Sequence, residues 1–242
     1  MVNLAISAAQ GVPSLARRLL TGDLDDDGAR DSVPVPSVRL GVVSSTMGLG
    51  QAVAVAGTSS CDYWGDDGVL AREPVFSTCL DGPTSLFVDV ESPTDVDTRL
   101  HDFQCRLFRG NSRCVPALLE SMMKAITPES SAIRFRDGTA GHGSGLNSGF
   151  LREHALWVII IIASRDDCSI EREVEAWSTD PVCPHTLPAC CEEWLYPIDR
   201  YVEGLASVRP DGLRRVAVAT WIGTDRLLAD DLAHEEIPRT RS

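Results

Sequence analysis

Five aspartates crowd residues 23–31, within the stretch TGDLDDDGARDS at 21–32. Asp23, Asp25 and Asp27 alternate. Counted from Asp23, Gly28 stands sixth, Ala29 offers a backbone carbonyl seventh, and Asp31 stands ninth. Short carboxylates on alternate residues converge on one hard cation, and a glycine permits the sharp turn between them. The order therefore predicts a calcium loop with Asp23, Asp25, Asp27, Ala29 and Asp31 as ligands. Pro34 occupies the twelfth position, where a bidentate glutamate would complete the shell. Water or another segment has to supply the rest, so coordination is expected to be weak. The competing reading is a solvated acidic turn at a helix exit.

Other groupings are less ordered. Asp66-Asp67-Gly68, with Asp62 nearby, has too few ligands in register and reads as a plain turn. Asp166 and Asp167 directly follow the most apolar segment of the chain, at the place where parallel sheets collect binding residues. Metal binding and capping of the following helix are both open to them, and capping is the simpler role. The loop Gly141-His142-Gly143-Ser144-Gly145-Leu146-Asn147 has neither the glycine spacing of a nucleophile elbow nor the Gly-Lys-Ser/Thr of a phosphate loop. A hydrolase with His142, Asp166 and Asp167 around a metal is the alternative function, and requires those side chains to converge. A zinc site from Cys183, His185, Cys190 and Cys191 matches no common ligand spacing.

The 242 residues carry a net charge of −13, with 43% hydrophobic and 24% charged residues. The charge disfavours nucleic acid and anionic membranes as partners and suits cations. The longest apolar run, residues 155–163, is too short to span a bilayer. Eight cysteines (Cys61, Cys79, Cys105, Cys114, Cys168, Cys183, Cys190 and Cys191) fall in loops and element ends, a placement expected of disulfides in an oxidising compartment. The first residues lack the basic start, apolar centre and small-residue cleavage site of a signal peptide.

Elements that would position these residues follow from periodicity. Residues 156–163 read as a strand covered on both faces, 38–44 and 215–221 as weaker strands, and 85–90 as a short edge strand. Helical spacing marks Val12, Leu15, Ala16, Leu19 and Leu20, starting at Pro13; Val96, Leu100, Phe103 and Leu107; Val115, Leu118, Leu119, Met122, Met123 and Ile126; and Ile198, Tyr201, Val202, Leu205 and Ala206. Strands alternating with helices predict an α/β sheet with parallel strands. Residues 48–84 and 128–150 are expected as surface insertions in a domain spanning 1–223, with 224–242 as a polar C-terminal tail.

Several segments together carry a resemblance. They are residues 19–28 (LLTGDLDDDG), 40–45 (LGVVSS) with Met47-Gly48, 65–68 (GDDG) and 141–147 (GHGSGLN). Residues 149–152 (GFLR), 166–169 (DDCS) and 196–201 (YPIDRY) complete the set. In this order, over roughly residues 10–222, the chain resembles the von Willebrand factor A-like domains of exported bacterial proteins, often lipoproteins, of the myxobacterial type. The resemblance implies a doubly wound, mostly parallel α/β fold with helices on both faces. It also implies a non-enzymatic binding or adhesion role toward a protein or cell-surface ligand, disulfides, and a location in the periplasm, on the outer membrane surface or outside the cell. Two departures weaken the adhesion function: the Asp-x-Ser-x-Ser motif that begins the family's metal-ion-dependent adhesion site is missing, and Ala163-Ser164 stands where a Thr-Asp pair is usual. The central first strand, which would lie between 38–44 and 156–163, is missing as well. A truncated gene product or mis-started reading frame is the expectation that follows, with a non-functional remnant as its extreme form.

Overall fold

The computed structural model describes residues 2–48, 65–72, 85–91, 96–107, 116–163, 167–171, 195–209 and 211–222. It is a mixture of helices and short strands. The helix α1 spans Val2–Thr21 and runs through Pro13, so the start expected at that proline is corrected to Val2. Val12, Ala16 and Leu20, spaced four apart, form its buried face. Strand β1, Val38–Leu40, pairs antiparallel with β2, Val88–Val90, placing Val38 opposite Val90 and Leu40 opposite Val88. The strand expected to reach 44 ends at Leu40, because residues 65–72 run against its continuation and the Ala71 amide takes the Val42 carbonyl at 2.8 Å. Helix α2 is Val96–Leu107 and helix α3 is Leu118–Ile126. Strand β3, Trp157–Ala163, pairs parallel with β4, Val216–Ile222, in unbroken register from Trp157↔Val216 to Ala163↔Ile222. Helix α4, Ile198–Val208, precedes β4.

Helical cores lie on both faces of β3, but β3 is not covered throughout as its apolar run predicts: Val158 is exposed, as is most of β4, including Val218. One core joins Val12, Ala16 and Leu20 of α1 to Val88 and Val90 of β2 and to Val96, Leu100 and Phe103 of α2. The other joins Met123, Ala125 and Ile126 of α3 to Phe135 and to Tyr201 and Leu205 of α4. Ile160 packs on the first core, whereas Trp157 and Ile159 pack on the second, as the two-residue period of a strand requires. Val42 and Val43 divide between the cores in the same way. On α4, Ile198 and Val202 are exposed, contrary to the face expected from their spacing. The helix instead turns Gly204 toward α3, where a Cβ would stand only 2.8 Å from the Met123 methyl carbon.

Among the described residues, no backbone ladder joins the β1–β2 sheet to the β3–β4 sheet. The start of α3 ties them instead. From the β1 side, the Ala117 amide donates to the Ser45 carbonyl at 2.8 Å, and the Ser121 hydroxyl donates to the Ser44 carbonyl. From the β3 side, Asp167 Oδ1 accepts the Leu119 amide at 3.1 Å and Ser169 Oγ accepts the Glu120 amide at 3.0 Å. These are two of the orphan donors of a helix N-terminus, satisfied by residues almost fifty positions away along the chain. Asp167 therefore caps the earlier helix α3, and a helix following it would lie outside the described residues. Asp167→Ala is expected to cost about 1–2 kcal/mol in urea unfolding, the usual loss for a helix cap.

Candidate functional site

The acidic loop is closed at its neck. The Gly22 carbonyl, at the end of α1, accepts the amides of Asp31 and Ser32 at 2.9 and 3.0 Å, and the Val35 amide reaches the Leu19 carbonyl at 2.9 Å. Gly22 has φ +77° and a Cβ on it would meet the Ser32 carbonyl oxygen at 2.4 Å, so the closure requires glycine. Within the loop, Asp23 Oδ2 accepts the Gly28 amide at 2.9 Å and Asp27 Oδ1 accepts the Ala29 amide at 2.7 Å. Asp26 lies outside this set and pairs with Arg18 at 2.6 Å.

Asp23, Asp25 and Asp27 each present a carboxylate oxygen within 4.8 Å of the other two. Asp31 is not part of that group, and its Oδ2 accepts the Leu24 amide at 2.8 Å. Asp23 Oδ1 is buried without a hydrogen-bond partner. A shielded carboxylate oxygen with no donor is costly unless a cation faces it.

The glycine-rich loop serves a different purpose. It folds over the C-terminus of α3, whose last carbonyls have no partner within the helix. The His142 amide donates to the Lys124 carbonyl at 2.9 Å and the Gly143 amide to the Thr127 carbonyl at 2.8 Å. Side chains at these glycines would collide with backbone: a Cβ on Gly141 would lie 2.2 Å from the Thr127 carbonyl oxygen, and one on Gly143 2.3 Å from that of Ile126. Asn147, fully buried, completes the closure. Its Nδ2 donates to the carbonyls of Gly68 and Ala125 at 2.9 and 3.0 Å, and its Oδ1 accepts the Leu70 amide at 2.9 Å. Residues 128–150, expected as a surface insertion, thus include a capping segment packed on the core.

Ion pairs that the sequence left unremarked lie along α3. Near its start, Glu120 Oε1 accepts from Arg200 Nε at 2.6 Å and from the Tyr201 hydroxyl at 3.2 Å. Burial, followed by the Glu120 charge, pushes the Tyr201 phenol well above its ordinary range. At the other end, the Lys124 ammonium has no exposed surface and contacts Asp67 Oδ1 at 2.5 Å and Thr139 Oγ1 at 2.8 Å. His142 Nε2 meets the other oxygen of the same carboxylate, Asp67 Oδ2, at 3.0 Å. His142 and Asp167 consequently sit at opposite ends of α3, roughly 13 Å of helix apart at 1.5 Å per residue. Asp67, expected in a plain turn, and Lys124, off the apolar helical stripe, are the residues that sequence reasoning passed over.

Cys105 of α2 is disulfide-bonded, and its partner is not among the described residues. Cys168 is buried as a thiol. The other six cysteines, together with Asp62, Asp166, His185 and the tail 224–242, lie outside the described residues. Compared with known proteins, the chain matches no family model, no curated protein and no solved structure.

Two outcomes follow from these contacts. Asn147→Ala strands one amide and two carbonyls in the interior, and is expected to lower stability by about 3 kcal/mol at roughly 1 kcal/mol per lost partner, read by urea unfolding. Tyr201 has its folded-state pKa raised, so its contribution is complete below the unfolded value near 10 and is lost as pH rises from there toward the folded value. Unfolding free energy is expected to fall between pH 10 and 11 by about 1.4 kcal/mol per unit for this group. Tyr201→Phe is expected to shallow that slope.

Proposed function

We propose that the chain is a non-enzymatic binding domain of an exported protein, built on a von Willebrand factor A-like doubly wound fold that lacks its central strand. Its calcium loop is built on the carboxylates of Asp23, Asp25 and Asp27 with the Ala29 carbonyl, while Asp31, whose Oδ2 holds the Leu24 amide, braces the loop. The ordered run of family-like segments supports the fold reading. So do the parallel β3–β4 pair, the helical cores on both faces of β3, and, among the described residues, the absence of a ladder between the two sheets where the first strand would lie. The separation of His142 from Asp167 counts against a shared hydrolytic centre. The partner in this reading is a protein or cell-surface ligand, met outside the cytoplasm.

One observation carries the calcium assignment: three carboxylates converge, and one of their oxygens is buried and unpartnered. A divalent cation neutralises the mutual repulsion of those carboxylates and occupies the direction that Asp23 Oδ1 leaves open. The neck bonds at Gly22 then make the ion a clip between the end of α1 and the chain leading to β1. With Pro34 in place of a bidentate glutamate, affinity belongs to the weak extracellular range, a Kd of about 0.1–1 mM. At 10 mM calcium this stabilises the fold by about 1–3 kcal/mol. Calorimetric and thermal-melt titrations with calcium are expected to show binding and a rising Tm, both lost in the Asp23→Asn, Asp25→Asn double variant. Titration without heat and with an unchanged Tm would overturn the assignment.

A further inference from the structure

Lys124 is the only lysine in the chain; the other 21 of the 22 basic side chains are arginine. The Lys124 side chain has no exposed surface, and its amine nitrogen lies 2.5 Å from Asp67 Oδ1. Thr139 Oγ1, at 2.8 Å, contacts the same nitrogen, and the Phe135 ring lies on another side with its centroid at 5.8 Å. His142, with 13% of its side chain exposed, places Nε2 3.0 Å from Asp67 Oδ2. Asp67 has φ +50°, a left-handed conformation uncommon for a residue with a side chain, held by its amide on the Thr46 carbonyl at 3.1 Å. An amine that can act as a nucleophile, a carboxyl group and a proton-carrying imidazole therefore meet within hydrogen-bond reach, with the amine itself fully buried.

We propose that Lys124 and Asp67 form an intramolecular amide bond, a covalent strut between the 65–72 loop and α3. The amine sits against an oxygen bonded to the carbon it attacks, the close approach that makes an intramolecular reaction efficient. A proton passes from the ammonium to the carboxylate along the Lys124–Asp67 contact, giving a neutral amine and a carboxylic acid. Rotation about the Asp67 Cβ–Cγ bond turns the carboxyl face toward Nζ, which attacks Cγ. The nitrogen passes its second proton to Oδ1 as well, while His142 Nε2 donates a hydrogen bond to Oδ2 and holds the negative charge that develops there. The Cγ–Oδ1 bond breaks, the Cγ–Oδ2 double bond re-forms, and Oδ1 leaves as water. One N–C bond forms, one C–O bond breaks, both ammonium protons lost by nitrogen depart with the water, and the imidazole ends as it began. No oxidant or cofactor enters. Arginine cannot take this part, because its guanidinium does not give up a proton in proteins. The single lysine stands where an amine is needed.

The bond closes a loop across 57 positions of the chain, so it constrains the unfolded state as a long-range disulfide does. Unlike a disulfide it survives reduction. The test uses the full chain, reduced, denatured and measured by intact-mass spectrometry, then labelled with an amine-reactive reagent. The expected result is a mass one water below that of the reduced sequence, with label on the α-amine alone, since no other lysine competes. Peptide mapping is expected to show a branched peptide joining Lys124 to Asp67. Lys124→Arg and Asp67→Ala are each expected to restore the mass that their sequences require. His142→Ala is expected to slow the loss of water after refolding. All these readouts are taken on unfolded chain, so a variant that folds poorly still reports. Wild-type protein at its full reduced mass, with Lys124 labelled and Asp67 in a separate linear peptide, would overturn the proposal.

Discussion

A short helix buried on nearly every side has to find a partner for each polar group it takes inside, and α3 is that helix. Glu120, Ser121 and Lys124 are as buried as Met123, Ala125 and Ile126. Desolvating such groups without partners costs several kcal/mol in total, enough to cancel the apolar burial the helix provides. Each is answered from a different part of the chain: Glu120 from α4, Ser121 from the end of β1, Lys124 from the 65–72 loop and Thr139. Its two ends are closed from the segment after β3 and from the glycine-rich loop. The need to satisfy one helix thereby draws most of the described chain around it.

This arrangement explains how two separate sheets hold together. Among the described residues there is no ladder between β1 and β3, and sheets ordinarily gain their cohesion from ladders. Here the carboxyl ends of both strands are pinned to the first turn of α3, while the apolar residues on either face share the two cores. The other cost remains visible. Strand β3 is rich in isoleucine and carries no charge, and its edge away from β4 makes no backbone hydrogen bond to any described residue. Open edges of this composition are normally guarded by charges, bulges or a covering element.

The strands and helices were legible because their signals are local. The isoleucine run at 159–162 and the four-residue spacing of Val12, Ala16 and Leu20 depend only on neighbours in the chain. What escaped is non-local. Pro13 reads as a helix start, yet α1 runs through it from Val2 to Thr21. Ile198 and Val202 read as core, yet the approach permitted by Gly204 rotates them outward. The spacing of the acidic loop anticipated that Asp23, Asp25 and Asp27 converge, and missed that Asp31 is engaged by a backbone amide. Lys124 and Asp67 are separated by 57 positions, and no periodicity relates them. The glycine-rich loop matched no ligand-loop pattern, and its role in closing α3 rests on a close approach of backbone from distant positions that no local pattern shows.

The dependence of the fold on α3, and not on a continuous sheet, is tested most directly by native-state hydrogen exchange along β3. Among the described residues β3 pairs only with β4, so its amides alternate between those facing β4 and those facing the other edge. The structure predicts strong protection on every second residue from Trp157 to Ala163, fast exchange on those between, and strong protection through α3. Uninterrupted protection across all of β3 would contradict it, because every amide of that strand would then be paired within a continuous sheet.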